Sequence, residues 1–182
     1  MDLELLRSLL SSKIDPILEH YGTNNLASVL VVIYGVDPIV VMTEKPMHLK
    51  LHAGEISFPG GKFDPTDSDL LETALRETRE EIGLRISKNQ VIGQLEPVVT
   101  LNSGFTILPF VSIVDEITLL SANSEVENIL YIPLKSFLKT MSDDLNPVHK
   151  RIQEMYTFEY QNKIIWGASA RILKQIVNRL NL

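Results

Sequence analysis

The sequence predicts an α/β protein of the mixed α+β kind, a mixed β-sheet sandwiched between α-helices. Three observations carry that expectation. β-Branched runs such as ASVLVVIY (27–34) and FTILPFVSIVD (105–115) read as strands. Stretches with helical periodicity are few, and they do not alternate with the strands as βαβ units would. The 182 residues contain no internal repeat, low-complexity tract or linker-like shift in composition, so one domain over 1–182 is expected.

In chain order, Leu5, Leu6, Leu9 and Leu10 recur at helical spacing, and Asp15-Pro16 resembles an N-cap followed by a first helical residue. Helix is therefore expected over about 2–20. ASVLVVIY and PIVVMT (38–43) are separated by Gly-Val-Asp, a hairpin pattern. EISF (55–58) reads as a strand ended by the breakers Pro59-Gly60-Gly61. Thr66 with Asp69 three residues on fits a capping box, with Asp67 and Ser68 as alternative caps. Leu71, Ala74, Leu75, Thr78 and Ile82 mark one buried helical stripe, and Gly83 stands where a left-handed C-cap glycine belongs. QVIGQLEPVVT (90–100), FTILPFVSIVD and VENILYIPL (126–134) follow as strands. Pro133 opens a short helix, YTFEYQNKIIW (156–166) alternates like a hairpin around Gln161-Asn162-Lys163, and Ala168 to Leu180 closes as a helix.

A hydrophobic fraction of 45% and a charged fraction of 22% are those of an ordinary soluble globular protein. The net charge of −6 gives no overall field favouring nucleic acid or anionic membrane, so neither partner is expected and an anionic ligand must find local cations. The absence of cysteine excludes disulfides, thiolate catalysis and thiolate metal ligands, and it fits a reducing compartment. No apolar run approaches the roughly 20 residues a spanning helix needs. MDLELLRSLLSSKIDP has acids among its leucines and lacks a basic n-region, so it does not read as a signal peptide and a cytoplasmic location is expected. Its apolar helix packs either on its own domain or on a second subunit, which leaves a homodimer open.

The stretch GGKFDPTDSDLLETALRETREEIGL (60–84) raises a question of electrostatics. Glu77, Glu80 and Glu81 stand at i, i+3 and i+4 on a face away from the apolar stripe, near the end where the helix dipole disfavours negative charge by about 0.3–1 kcal/mol per carboxylate. Their mutual repulsion adds a few tenths of a kcal/mol per pair. Arg76 offsets part of this, with Glu72 four residues before it and Glu80 four after. A solvated charged face is one reading. The other is a site for a hard divalent cation, since Mg²⁺ prefers carboxylates together with water and substrate phosphates. On that reading, replacing one of these glutamates costs the metal-free protein little stability.

These residues resemble the signature of the Nudix hydrolase superfamily: Gly, five residues, Glu, seven residues, then Arg-Glu-apolar-x-Glu-Glu-x-Gly-apolar. Arg76-Glu77-Thr78-Arg79-Glu80-Glu81-Ile82-Gly83-Leu84 matches the second half, and the resembling box spans 61–84. The first half departs from it, with Gly61 one residue too far upstream and Asp67 or Ser68 in place of the glutamate. Upstream, VMTEKPMHLKLHAGEISFPGG (41–61) resembles the coenzyme A pyrophosphatase branch, with Thr43, Gly54, Phe58, Pro59, Gly60 and Gly61 in register. Lys45 and Lys50 stand for its two arginines and Pro46 for its Ser/Ala. SEVENILYIPL (124–134) and IWGASA (165–170) are similar to the same branch.

The resemblance implies a Nudix fold and a metal-dependent diphosphatase that uses Mg²⁺ or Mn²⁺. Coenzyme A or acyl-CoA would be cleaved to 3′,5′-ADP and 4′-phosphopantetheine or its acyl form. It implies metal ligands at Glu77, Glu80 and Glu81 and at the Gly60 carbonyl, with Arg76 orienting the carboxylates. Lys45, Lys50 and His52 would bind the anionic substrate, and Phe58 would form core or pocket wall. A general base is required within reach of the attacking water; Glu125 is the first choice, Glu81 or Glu77 the fallback, and Glu127 the near miss. Two alternatives remain: a Nudix hydrolase of another nucleoside diphosphate derivative (NADH, ADP-ribose, an oxidised nucleotide), and a non-catalytic nucleotide-binding module.

Overall fold

The computed structural model describes residues 1–17, 19, 25–48, 53–100, 103–145 and 155–182. The chain runs α1 (Leu3–Leu10), β1 (Leu26–Tyr34), β2 (Ile39–Glu44), β3 (Ile56–Ser57), β4 (Gly60–Lys62), α2 (Leu70–Ile82), β5 (Val91–Gln94), β6 (Val98–Val99), β7 (Thr106–Val114), β8 (Asn128–Pro133), α3 (Leu134–Leu138), β9 (Ser142–Asp143), β10 (Tyr156–Tyr160), β11 (Lys163–Ile165) and α4 (Gly167–Leu180). No helix among the described residues is long and apolar enough to cross a membrane.

A mixed sheet forms the centre, with path order β3-β2-β1-β7-β5. β1 and β7 pair in parallel along their whole length, from Leu26 opposite Thr106 to Tyr34 opposite Val114. Both strands are almost continuously apolar because both sheet faces are covered. Val29, Val31 and Ile33 face one core, shared with Leu6, Leu10 and Leu173 of α1 and α4. Leu30 and Val32 face the other, beneath Leu70, Leu71, Ala74 and Ile82 of α2. The expected sheet between helices is therefore present.

The hairpin of β1 and β2 pairs Tyr34 with Ile39, and that of β10 and β11 turns at Gln161-Asn162, both at positive φ as a two-residue primed turn demands. The helix expected to open at Pro133 begins at Leu134, and the one expected from Ala168 begins at Gly167.

Two local expectations are corrected. The helix predicted over about 2–20 ends at Leu10, and residues 11–17 contain no helix at Asp15-Pro16. Ser12 instead binds the edge of β5: its N–H donates to the Ile92 carbonyl at 3.2 Å, and its hydroxyl donates to the Gln94 carbonyl while accepting the Gln94 N–H. Serine offers such bonds in competition with helix, and Pro16 biases Asp15 toward extended backbone. Arg179 of α4 fastens the same corner, donating to the carbonyls of Leu10 and Gln94. Leu6 and Leu10 are thereby buried within the chain's own fold.

The glycines expected to end a strand form one. After a bend at Phe58-Pro59, Gly60–Lys62 pairs antiparallel with Ala27–Val29. A side chain at Gly60 would place its Cβ 2.3 Å from the Ser28 carbonyl oxygen, and its φ of +154° suits glycine alone.

Candidate active site

The site is built on the first and last turns of α2. Asp69 caps the helix by accepting the Glu72 N–H at 2.7 Å, so the expected Thr66 capping box is not formed. Glu72 turns back to accept from the Ser68 N–H and hydroxyl and does not pair with Arg76. At the other end Gly83 adopts φ +72° as the left-handed cap.

Asp67 takes up Arg76. Its carboxylate, 3% exposed, receives Nε on Oδ1 and Nη2 on Oδ2, both at 2.9 Å, plus the Thr73 hydroxyl at 2.8 Å. Arg76 Nη1 donates to Glu77 Oε1 at 2.8 Å and to Glu80 Oε2 at 3.1 Å, while Nη2 also reaches the Lys62 carbonyl. All five guanidinium N–H groups are thus used inside the protein. Arg76 can orient carboxylates here but has no donor left for a ligand. The Arg76 bond is the main cause that holds the Asp67 carboxyl below the usual range.

The three glutamates do not share one solvated face as the spacing suggested. Glu80 is exposed, whereas Glu81 is buried. Glu81 Oε1 accepts from Lys45 Nζ at 2.7 Å and Oε2 from the Gly60 N–H at 3.1 Å. Glu77 lies against Gly61, where a Cβ would fall 2.4 Å from its carboxyl carbon. Burial, reinforced by the neighbouring Glu81 and Glu80, pushes the Glu77 carboxyl up in spite of Arg76. Lys45, expected to be a free cation for the ligand, is engaged with Glu81.

Among the described residues no group of three acidic or histidine side chains converges as a ready-made metal cluster. The donor chemistry nevertheless fits a hard divalent cation. Glu77 and Glu81 present oxygen ligands against the Gly60-Gly61 backbone, burial and the neighbouring glutamates disfavour the charged form of Glu77, and Mg²⁺ completes its shell with water and phosphate.

Glu125 is exposed on the segment that leads into β8. That segment is bound to the end of α2, Asn123 N–H donating to the Glu81 carbonyl at 2.9 Å and Ser121 N–H to that of Ile82 at 3.0 Å. The Glu125 N–H donates to the Asn123 side-chain oxygen at 2.8 Å. Glu127 is also exposed, its N–H bonded to the Glu44 carbonyl. Lys50 and His52 lie outside the described residues.

Phe58 is 2% exposed and belongs to the core, while one side of it lines a cavity of about 210 Å³. Ser57, Ile107, Trp166, Ser169 and Arg171 also line this cavity. Burial lowers the Arg171 guanidinium from its ordinary value. The tetrapeptide Phe58–Gly61 joins the two regions, with Phe58 in the cavity wall and Gly60 and Gly61 against Glu81 and Glu77.

Sequence reasoning missed a second charged cluster beside the first. Glu44, at the end of apolar β2, binds the Lys163 ammonium of β11 and accepts from Asn128 Nδ2 at 2.8 Å. A carboxylate closing an apolar strand needs a partner, which was the available signal.

The NUDIX domain model matches residues 24–154 of the chain. The uncharacterized Nudix hydrolase NudL of Yersinia enterocolitica is 34% identical over 164 residues, 88% of this chain and 84% of that protein. Its Yersinia pestis counterpart is 34% identical over 169 residues, covering 90% and 84%. Among solved structures, a MutT/nudix family protein from Enterococcus faecalis superposes with a TM-score of 0.62 at 14% identity, over 93% of this chain and 65% of that one, a little under two thirds of its length. The NUDIX domain of Shewanella oneidensis NrtR, solved with ADP ribose, gives a TM-score of 0.58 at 16% identity, over 92% and 94%.

Proposed function

The chain belongs to the Nudix hydrolase family, whose members act on phosphoric anhydrides with divalent metal ions, and we propose that it hydrolyses the diphosphate bond of coenzyme A or acyl-CoA. One observation carries the choice of substrate. Two segments similar to the coenzyme A branch, 41–61 and 165–170, are about a hundred residues apart, yet Ser57 and Phe58 of the first and Trp166 of the second line one cavity next to the carboxylates.

Glu77 and Glu81, with Glu80 and the Gly60 carbonyl, would hold Mg²⁺ or Mn²⁺. When bound, such an ion neutralises phosphoryl oxygens and lowers the pKa of an attacking water. Arg76 keeps Glu77 and Glu80 aimed, Asp67 keeps Arg76 fixed, and Glu125 is the side chain assigned to take the proton from water. Lys45, Lys50 and His52 are assigned to the diphosphate, and the cavity to the remainder of the substrate. A single domain acting in the cytoplasm on a small molecule, alone or as a homodimer, completes the reading.

The test is a panel of coenzyme A, acetyl-CoA, NADH, ADP-ribose and nucleoside triphosphates with Mg²⁺ or Mn²⁺, followed by product analysis. The expected outcome is 3′,5′-ADP and 4′-phosphopantetheine, released faster from coenzyme A or its thioesters than any other compound is cleaved. Equal or faster turnover of NADH or ADP-ribose overturns the substrate and favours the second reading, another nucleoside diphosphate derivative. That reading draws on Lys45 being held by Glu81.

A further inference from the structure

We propose that Lys45 and the divalent cation compete for Glu81, so that binding the ion releases the Lys45 ammonium to meet the anionic part of the substrate. The proposal rests on the reading of Glu77 and Glu81 as cation ligands. Glu81 has one oxygen held by the Gly60 N–H and the other by Lys45 Nζ at 2.7 Å, with its side chain 3% exposed. A divalent ion approaching Oε1 meets a positive charge already in contact with that atom. In so enclosed a place the two cations repel strongly, because little water screens them.

The surroundings confine the exchange to the lysine side chain. Lys45 N–H donates to the Glu55 carbonyl at 2.9 Å, and the Lys45 carbonyl accepts the Gly54 N–H at 3.1 Å. Its neighbour Glu44 is fixed by Lys163 and Asn128. The backbone is thus anchored on both sides, which leaves the partly exposed four-carbon stem as the part that moves in the exchange. This gives a meaning to lysine at a place where the resembling motif has arginine. A compact ammonium is easily surrendered, whereas a guanidinium fork would grip both carboxylate oxygens.

Coupling of this kind is reciprocal. An ion that expels Lys45 strengthens anion binding at the freed ammonium, and a bound anion that draws Lys45 away strengthens ion binding. The metal site and the substrate site would then assemble together.

Two measurements on the full chain without substrate test this. Calorimetric titration with Mn²⁺ and with Mg²⁺ compares wild type with Lys45→Met; the variant should bind the ion about fivefold or more tightly. Acetylation of wild-type Lys45 by acetic anhydride, read by mass spectrometry, should quicken severalfold when Mg²⁺ is added. Ion affinity that is equal or weaker in Lys45→Met, or labelling that Mg²⁺ leaves unchanged or slows, overturns the proposal. If Lys45→Met fails to fold, the wild-type labelling decides. Ion binding without coupling leaves the ligand reading intact, and absence of any ion binding to wild type removes both. Neither measurement depends on whether coenzyme A is cleaved.

Discussion

Arg76 grips Asp67 through two parallel bonds of 2.9 Å, and this pair lies at the point where the chain departs from the family signature. The buried carboxylate stands nine residues before its arginine, beyond any helix-surface spacing, so the loop 63–69 must fold back to bring it there. Replacing Asp67 by Asn should cost about 2–3 kcal/mol at neutral pH, below the 3–5 of a fully buried pair because Arg76 keeps some solvent contact. The Asp67 carboxyl is held below its usual range, so its contribution is complete above its unfolded value near 3.9 and fades as pH falls through the lower folded one. The difference between wild type and Asp67→Asn in urea denaturation should therefore be full at pH 6 and shrink below about pH 4.

Gly60 and Gly61 should respond differently to alanine. At Gly60 the new Cβ would meet the Ser28 carbonyl at 2.3 Å with φ at +154°, a backbone collision costing about 3 kcal/mol or more, so thermal stability should fall. At Gly61 the three nearest atoms to the new Cβ all belong to the Glu77 carboxyl group, the first at 2.4 Å. Gly61→Ala should keep its melting temperature while losing at least about tenfold in kcat, since Glu77 is pushed from its place.

The glutamates of α2 divide by burial. Glu80 is exposed and makes only helix-surface contacts, so Glu80→Gln should change metal-free stability by less than about 0.5 kcal/mol. Glu81→Gln breaks the Lys45 ion pair at a side chain only 3% exposed and should cost about 2 kcal/mol. The low cost expected for replacing one of these glutamates is therefore predicted for Glu80 and not for Glu81. Chemical denaturation of both variants with chelator present checks it.

Lys163 anchors the hairpin that leads into Trp166, so its ion pair with Glu44 bears on the cavity wall. Burial alone would raise the Glu44 carboxyl, but Lys163 and Asn128 outweigh it and hold it below the usual range. Lys163→Met should destabilise by about 2 kcal/mol at pH 7 and raise KM with little change in kcat. The stability deficit should shrink below about pH 4.3, the unfolded value, and close as pH falls through the lower folded one, where Glu44 is protonated beside Lys163 as well.

Strands and helices were legible wherever periodicity and breakers agreed, as in β1, β2, α2 and the hairpin at Gln161-Asn162. What escaped depended on contacts between distant segments. Helix α1 stops at Leu10 because Ser12 has a strand edge to bind, 82 residues away in sequence at Gln94, which no local signal reveals. Gly60 and Gly61 form a strand because missing side chains allow close approach, where breaker statistics predict only an end. In the site, carboxylate identity could be read from spacing, but the partners could not. Lys45 with Glu81 and Asp67 with Arg76 are set by how the loops fold over α2. The cavity followed the same rule: its two walls could be recognised separately, and only the fold brings them together.

Arg179, near the end of the chain, bonds the carbonyl that closes α1, near its beginning. During synthesis Leu6 and Leu10 therefore emerge well before α4, which forms part of the surface that buries them. The chain cannot settle in order from its N-terminus, as nascent domains commonly do. Helix α1 must wait, apolar side outward, until α4 has been made.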